Sequence, residues 1–152
     1  MHAHSLRGGC HCDAIRVELE LPRAPATYTP RACDCDFCRK HGAAYLSDPS
    51  GRLHIEIRDP AAVGRYRQGN ALAEFLLCKT CGVLVAVVYA DGADLYATVN
   101  SRVIAGDPGF PDATPVSPQT LSAHDKVARW KAVWFADVAV AGNESLVVRE
   151  NG

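Results

Sequence analysis

Residues 33–38 are the most informative segment of the chain and read Cys33-Asp34-Cys35-Asp36-Phe37-Cys38. Two other clusters accompany it, Gly9-Cys10-His11-Cys12 before it and Cys78-Lys79-Thr80-Cys81-Gly82 after it. Together the clusters contain all seven cysteines. Thiolates two or three residues apart can converge on one metal ion, because zinc holds its ligands tetrahedrally with Zn–S bonds of about 2.3 Å. The cysteine spacing therefore predicts zinc binding.

The three clusters divide naturally into a set of four thiols and a set of three. A closed structural zinc site uses four protein ligands, whereas a catalytic zinc site keeps one position open. The first and last clusters supply a complete set: Cys10, Cys12, Cys78 and Cys81. The middle cluster supplies three thiols, Cys33, Cys35 and Cys38. We expect the set of four to join distant parts of the chain and the set of three to be accessible to a substrate.

A disulfide framework is the competing interpretation of these cysteines. Such frameworks belong to secreted domains, but residues 1–7 show neither an apolar core nor a cleavage site of a secretory signal. An odd number of cysteines would also leave one thiol unpaired. Thiols that stay reduced in the cytosol are typically metal ligands. We therefore expect a cytoplasmic protein whose cysteines bind metal.

The composition is that of an ordinary globular protein and predicts a single domain over residues 1–152. Hydrophobic residues make up 48% of the chain and charged residues 22%. The net charge is −1 with histidine neutral, and no basic run occurs, which argues against a nucleic-acid partner. No apolar run reaches transmembrane length, so no membrane partner is expected.

Hydrophobic periodicity predicts a mainly β fold. Apolar and charged residues alternate over residues 15–21 and 53–57, the pattern of half-buried antiparallel strands. A continuous apolar run over residues 83–89 is typical of a central strand. Further strands are predicted over residues 75–78, 95–99 and 146–148. Two proline-rich segments, residues 22–30 and 106–118, predict loops.

A short helix is predicted toward the C-terminus. Ser122 and Asp125 resemble a capping box, and Trp130 and Trp134 follow at helical spacing. We expect both tryptophans to serve core or interface packing rather than ligand contact. A short helical turn is also expected over residues 35–40.

The cysteine clusters and their flanking residues resemble a known family. The matching segments are Gly9-Cys10-His11-Cys12-Asp13-Ala14-Ile15-Arg16, Cys33-Asp34-Cys35-Asp36-Phe37-Cys38-Arg39-Lys40 and Cys78-Lys79-Thr80-Cys81-Gly82. In order and spacing they are similar to the glutathione-dependent formaldehyde-activating enzymes, a family that includes the S-(hydroxymethyl)glutathione synthases and is similar in fold to centromere protein V. The resemblance covers about residues 6–105.

This resemblance implies a β-tent fold, with two layers of antiparallel sheet and zinc knuckles. It also implies two zinc ions per chain. The structural ion would be held by Cys10, Cys12, Cys78 and Cys81, and the catalytic ion by Cys33, Cys35 and Cys38. Two residues depart from the family's common pattern. Asp13 stands where glycine is frequent, and Val83 stands where a small hydroxyl residue is common, so we expect an altered turn and altered local packing.

The activity implied by the resemblance is that of a zinc-dependent carbon–sulfur lyase. Its substrate would be a thiol adduct, S-hydroxymethylglutathione or a related small thiol–aldehyde hemithioacetal, so a small thiol such as glutathione is the expected partner. A three-thiolate zinc site suits a thiol, because a thiol coordinated to zinc is deprotonated. Zinc can also polarise the oxygen of a carbonyl. The other functional hypothesis is a non-catalytic zinc module for protein interaction, which usually carries basic or disordered tails that this chain lacks.

His41, three residues past Cys38, is the candidate catalytic group for proton transfer, with a surface or packing role as its alternative. Arg39 and Lys40 are candidates to meet a glutathione carboxylate. Asn100 and Arg102 are weaker candidates. The two histidines that precede the first cluster, His2 and His4, are expected in a loose terminus.

Overall fold

The computed structural model describes residues 3–142, which form two β-sheets and two α-helices. In chain order the strands are β1 (His4–Gly9), β2 (Ile15–Leu21), β3 (Arg31–Cys33), β4 (Tyr45–Leu46), β5 (Arg52–Ile57), β6 (Val63–Tyr66), β7 (Glu74–Cys78), β8 (Leu84–Asp91), β9 (Asp94–Asn100), β10 (Thr114–Val116) and β11 (Asp137–Ala141). The helices are α1 (Asp36–His41) and α2 (Ala123–Val133). The mainly β prediction is confirmed, whereas the strand predicted over residues 146–148 lies outside the described residues.

The first sheet has the order β1-β2-β5-β11, and the second has the order β10-β3-β4-β9-β8-β7-β6. Most neighbouring strands are antiparallel, as the sequence predicts. Two edge pairs, β11 with β5 and β10 with β3, are parallel instead. A parallel pair needs a long crossover connection. In both pairs that connection is long, since much of the chain separates the two strands.

The main hydrophobic core lies between the two sheets. β2 turns alternate residues toward it, from Ile15 to Leu21, and β5 does the same with Leu53 and Ile55. Val85 and Val99 face them from the second sheet. Burying each of these branched side chains contributes about 1.5–3 kcal/mol. The alternation that predicted β2 and β5 therefore reflects one buried face and one solvated face.

A second, smaller core covers the outer face of the second sheet. Phe75, Leu84 and Val87 point to this face and pack with Tyr45 and Trp134. Side chains alternate across a strand, so the middle of this sheet is buried on both faces. This explains the continuous apolar run of β8. Both α1 and α2 pack on this side of the second sheet.

Both predicted helical segments are confirmed, and their caps explain where they begin. The Ser122 hydroxyl accepts a hydrogen bond from the Asp125 backbone N–H at 3.1 Å, which caps α2. The Cys35 thiol takes the same role for α1. Neither helix is long and apolar enough to cross a membrane, a finding that applies to residues 3–142.

Two expectations about loose segments are wrong in part, and His2 lies outside the described residues. His4 begins β1, which pairs with β2 along its whole length, so this part of the terminus is ordered. The polar sequence of β1 fits its position at the sheet edge and gives no periodic signal. Within the predicted loop over residues 106–118, Thr114–Val116 forms β10. Pro115 is tolerated there because β10 is an edge strand.

Candidate metal centres and the adjoining cavity

Four thiols meet where the first sheet approaches the second: Cys10, Cys12, Cys78 and Cys81, the four-cysteine cluster. Their sulfur atoms lie within 4.8 Å of one another. The Cys12 Sγ is 3.8 Å from the Cys10 Sγ and 3.4 Å from the Cys78 Sγ. Four sulfurs around a tetrahedral zinc ion would lie about 3.8 Å apart. The donor set and its spacing thus fit zinc.

The last knuckle is shaped mainly by its backbone. Gly82 adopts a φ of +84°, and its N–H donates to the Cys78 carbonyl at 2.7 Å. Only glycine adopts this left-handed conformation freely. The Cys78 N–H donates to the Val83 carbonyl at 3.0 Å, while the Val83 side chain packs against the main core. The bulk of Val83 is therefore accommodated by the core, and the turn is held by backbone groups.

Asp13 occupies the corresponding turn in the first knuckle with a φ of +72°. Aspartate tolerates the left-handed region better than most residues with a Cβ atom. Its carboxylate accepts hydrogen bonds from the Arg16 Nε at 2.8 Å and the Arg58 Nη1 at 2.7 Å. The backbone at Asp13 is thus strained, whereas glycine would adopt this conformation freely. The two ion pairs are formed by the side chain that glycine lacks.

Three further thiols form the three-cysteine cluster: Cys33, Cys35 and Cys38, whose sulfur atoms also lie within 4.8 Å of one another. Cys33 ends β3, Cys35 caps α1 and Cys38 lies in the first turn of that helix. The Cys35 Sγ accepts the Cys38 backbone N–H at 3.5 Å. The end of β3 and the start of α1 thus bring all three thiols together. A fourth cysteine is absent, since the other four form the cluster above.

Tyr45 contacts this cluster and was missed in the sequence. Its hydroxyl lies 3.0 Å from the Cys38 Sγ and is buried with it. The Gln68 amide also reaches the cluster, with its Nε2 3.8 Å from the Cys35 Sγ. Hydrogen-bond donors beside metal-binding thiolates orient the ligands and tune their basicity. Tyr45 and Gln68 therefore extend the cluster beyond its three sulfurs.

The local environment favours ionisation of some sulfurs in each cluster and opposes it at others. The pKa is raised at Cys10, Cys12 and Cys38, for Cys38 by its hydrogen bond with Cys33 and by burial. The hydrogen bond with the Cys38 thiol is the largest cause that lowers the pKa of Cys33 to about 6. Burial is the largest single influence on Cys81 and opposes its ionisation. Hydrogen bonds from the backbone of Cys12 and Val83 and from the Cys78 and Cys12 thiols together lower the pKa of Cys81 to about 6. Zinc binds thiolate rather than thiol. Each cluster thus holds at least one sulfur that is ready to bind at neutral pH.

A cavity of about 480 Å³ adjoins the three-cysteine cluster. It lies between the outer face of the second sheet, α1, the 68–73 loop and α2. This volume is in the usual range for small-molecule sites. The four-cysteine cluster does not line it. The residues that give the cavity its chemical character are Arg31, Cys33, Cys35, Cys38, Tyr45, Gln68, Arg129, Trp130 and Trp134.

Both tryptophans line this cavity while also packing against neighbours. Trp130 and Trp134 stack with ring centroids 4.9 Å apart, and Trp130 also lies 5.4 Å from Tyr89. Trp134 is buried in the outer core. The predicted packing role describes only part of their surroundings, because each ring also faces space that a ligand could fill.

The charged side chains of the cavity wall are mainly cationic. Arg31, Lys126 and Arg129 line it, against one acid, Asp36, whose exposed carboxylate lies 3.8 Å from the Lys40 amine. The Arg31 Nη2 donates to the Ser47 Oγ at 2.8 Å. Burial and the repulsion of Arg129 lower the pKa of Arg31 to about 10, so its guanidinium stays charged at neutral pH.

The basic residues and histidine that follow Cys38 lie outside the cavity lining. His41 is exposed on α1, and its ring packs against Phe37 with centroids 4.7 Å apart. Arg39 and Lys40 are exposed on the same helix. The catalytic role of His41 stays a prediction, as does the assignment of the seven cysteines as metal ligands.

Asn100 and Arg102 have structural partners. The Asn100 side chain is buried and bonds backbone groups of Leu84 and Ala44. The Arg102 Nε donates to the Gly42 carbonyl at 3.3 Å. These contacts stabilise the loop that follows α1, and neither residue lines the cavity.

Comparison with known proteins bears directly on this site. The family model described as "Glutathione-dependent formaldehyde-activating enzyme" matches residues 5–117, which include all seven cysteines. A crystal structure of a Rhodobacter sphaeroides protein aligns with a TM-score of 0.50 and 30% sequence identity. That alignment covers 71% of this chain and 99% of the other. The chain therefore belongs to the family of glutathione-dependent formaldehyde-activating enzymes.

Proposed function

We propose that the protein is a zinc-dependent carbon–sulfur lyase acting on S-hydroxymethylglutathione or a related small thiol–aldehyde hemithioacetal. The observation that carries the proposal is the three-cysteine cluster beside a cavity of about 480 Å³. A cluster with three thiols leaves a coordination position for a substrate atom. Family membership supports glutathione and formaldehyde as the reactants.

The proposed ligands are the seven cysteines, with one zinc ion in each cluster. Cys33, Cys35 and Cys38 would hold the catalytic ion, and the four-cysteine cluster would hold the structural one. Zinc, when bound by three thiolates, would supply positive charge that favours an ionised substrate thiol or a polarised carbonyl. We further propose a cytoplasmic location and a single domain over residues 1–152, in keeping with thiols that are all free in the described structure.

The proposed reaction moves one proton between sulfur and oxygen. In the synthetic direction the thiol sulfur bonds to the carbonyl carbon, and the thiol proton ends on the new hydroxyl group. In the lyase direction the hydroxyl proton returns to sulfur as the carbon–sulfur bond breaks. The protein's own contribution is to orient the two reactants. The stacked rings of Trp130 and Trp134 form one wall, and the Tyr45 hydroxyl holds the Cys38 sulfur.

The decisive experiment follows adduct formation directly. Zinc-loaded protein is mixed with glutathione and ¹³C-formaldehyde, and exchange between adduct and free aldehyde is measured by NMR. We expect faster exchange than in the uncatalysed mixture, and loss of the acceleration in Cys35→Ser. If a panel of thiols and aldehydes shows no acceleration while the zinc content is normal, the non-catalytic module replaces this proposal. His41→Gln tests the predicted proton-transfer group, since an unchanged rate would remove it from the mechanism.

A further inference from the structure

Arg31 is a half-buried cation whose hydrogen-bond partners are neutral. Its Nη2 donates to the Ser47 Oγ at 2.8 Å and lies 3.4 Å from the Thr98 Oγ1. Among residues 3–142, no carboxylate lies within ion-pair distance of its guanidinium. Removing a charge from water without an opposite charge is costly. An anion that enters the cavity would offset that cost.

The position of Arg31 relates it directly to the three-cysteine cluster. Arg31 and Cys33 are two residues apart on β3, so their side chains share one face of the strand. Two residues along a strand span about 6.6 Å. Both side chains line the same cavity. If the sulfur of a ligand lies beside Cys33, a polar group two or three bonds from that sulfur would therefore lie within reach of Arg31.

Arg129 adds a second cation from the helical wall. It lines the cavity from α2 and repels Arg31 electrostatically. No ion pair of Arg129 is found in the described part of the chain. Lys126, one turn earlier on α2, differs because its Nζ donates to the Asn70 Oδ1 at 3.1 Å. Two arginines thus line the same cavity, and its one acid, Asp36, forms an ion pair with Lys40 instead.

We propose that Arg31, assisted by Arg129, binds a carboxylate of the substrate thiol, and that this contact makes the site selective for anionic thiols. The inference rests on the proposed function only for the position of the sulfur at the three-cysteine cluster. A planar guanidinium can bind a carboxylate through two parallel hydrogen bonds. Arg39 and Lys40, the candidates from the sequence, are exposed outside the cavity lining. The structure thus moves carboxylate recognition from α1 to β3 and α2.

Binding can be measured without turnover because the only two tryptophans of the chain, Trp130 and Trp134, both line the cavity. Their fluorescence is followed as zinc-loaded protein is titrated with 3-mercaptopropionate and with its neutral amide. Glutathione and its diethyl ester provide a second pair that differs in charge. We expect the wild-type protein to bind each carboxylate form about tenfold or more tightly than its neutral partner, as for hydrogen bonds to charged groups.

Arg31→Gln keeps a polar group beside Ser47 and removes the charge. It should abolish the preference for the carboxylate while leaving affinity for the amide within about twofold. Arg31→Lys should retain part of the preference. Arg39→Gln is the matched control, because it removes the same charge from an exposed position outside the cavity and should bind like the wild type. Thermal melts check the fold, and Arg129→Gln replaces Arg31→Gln if the latter does not fold.

The outcomes separate this inference from the proposed function. Equal binding of charged and neutral thiols by the wild type would overturn the inference, even if adduct exchange is accelerated. Equal weakening of both forms in Arg31→Gln would assign that residue a structural role only. Charge-selective, Arg31-dependent binding without any acceleration of adduct exchange would instead sustain the inference and remove the lyase activity.

Discussion

The four-cysteine and three-cysteine clusters use the same side chain in different structural settings. Cys10 and Cys78 belong to the main core between the sheets, and their cluster joins the end of β1 to the end of β7. Cys35 and Cys38 belong to the outer core, and their cluster comes from one short strand-to-helix segment. A metal in the first cluster would cross-link two sheets, whereas a metal in the second would constrain only a local turn. We therefore expect chain topology, rather than ligand chemistry alone, to separate a stabilising metal from a reactive one.

The two clusters also differ in the groups that donate hydrogen bonds to their sulfurs. In the four-cysteine cluster, backbone N–H groups of Ile15 and Cys81 donate to sulfur at 3.3 and 3.5 Å. In the three-cysteine cluster, the partners include the side chains of Tyr45 and Gln68. Backbone donors are fixed by the fold, while side-chain donors can adjust when a ligand enters. This arrangement suits a permanent metal in one cluster and an exchangeable ligand in the other.

The largest contrast is expected from a matched pair of ligand substitutions. Cys10 and Cys35 are similarly buried, at 7% and 8% exposure, so Cys10→Ser and Cys35→Ser cause similar local changes. Apparent binding free energies at structural zinc sites are about 10–16 kcal/mol. Cys10→Ser should therefore lose several kcal/mol of unfolding free energy and one zinc ion. Cys35→Ser should lose only the other ion and keep its fold. Thermal melts and elemental analysis measure both effects.

The reverse result would exchange the roles of the clusters. If Cys35→Ser unfolds the chain while Cys10→Ser melts like the wild type, the three-cysteine cluster is the structural one. Absence of zinc from the wild-type protein, together with intramolecular disulfides, would reject metal binding at both clusters.

Metal removal should occur in two steps. The three-cysteine cluster supplies fewer protein ligands and adjoins the cavity, so a chelator should extract its metal first. This step should leave the circular dichroism spectrum unchanged. Metal from the four-cysteine cluster should leave at higher chelator concentration, together with loss of the folded signal. A single concerted step with unfolding would mean that both clusters stabilise the fold equally.

Tyr45→Phe should give a smaller effect that is confined to the three-cysteine cluster. It removes the hydroxyl that lies 3.0 Å from the Cys38 Sγ but keeps the packed ring. Loss of such an outer partner typically weakens metal affinity about 10- to 100-fold. Competition with a zinc indicator measures this change.

Tyr28→Phe is the matched control. Its buried hydroxyl donates to the Asp48 Oδ2 at 2.6 Å and bonds no cysteine of either cluster. It should reduce stability by about 1–3 kcal/mol and leave zinc affinity unchanged. Equal zinc affinities in the two variants would remove Tyr45 from the site.

Local patterns were enough to predict the strongest elements. β2, β5 and β8 followed from alternation or continuous apolar sequence, because each packs against the core along its length. The cap of α2 followed from Ser122 because capping depends on nearby residues alone. The two groups of thiols followed from spacing within each cluster and from the number of ligands that zinc uses.

The cavity wall could not be predicted in the same way. Arg31 and Trp130 are distant in sequence and meet only when α2 packs on the outer face of the second sheet. Tyr45 stands in an apolar stretch that gives no sign of a thiol partner. His41 followed from its closeness to Cys38 in sequence, but on a helix that closeness does not determine which way a ring points. A signal for Arg31 did exist, since it shares a strand face with Cys33 at a spacing of two residues.

The smallest effect should come from the turn at Asp13, which directly follows Cys12 of the four-cysteine cluster. Its φ of +72° strains any residue with a Cβ atom, while its half-exposed ion pairs with Arg16 and Arg58 oppose that strain only weakly. Asp13→Ala loses the ion pairs and keeps the strain, so it should be the least stable variant. Asp13→Gly loses the ion pairs but relieves the strain, so it should lie closer to the wild type. Urea denaturation of the zinc-loaded proteins measures the order, and zinc in the three-cysteine cluster should stay unchanged in both. If Asp13→Ala is as stable as Asp13→Gly, the backbone conformation at this turn contributes nothing to the difference between the clusters.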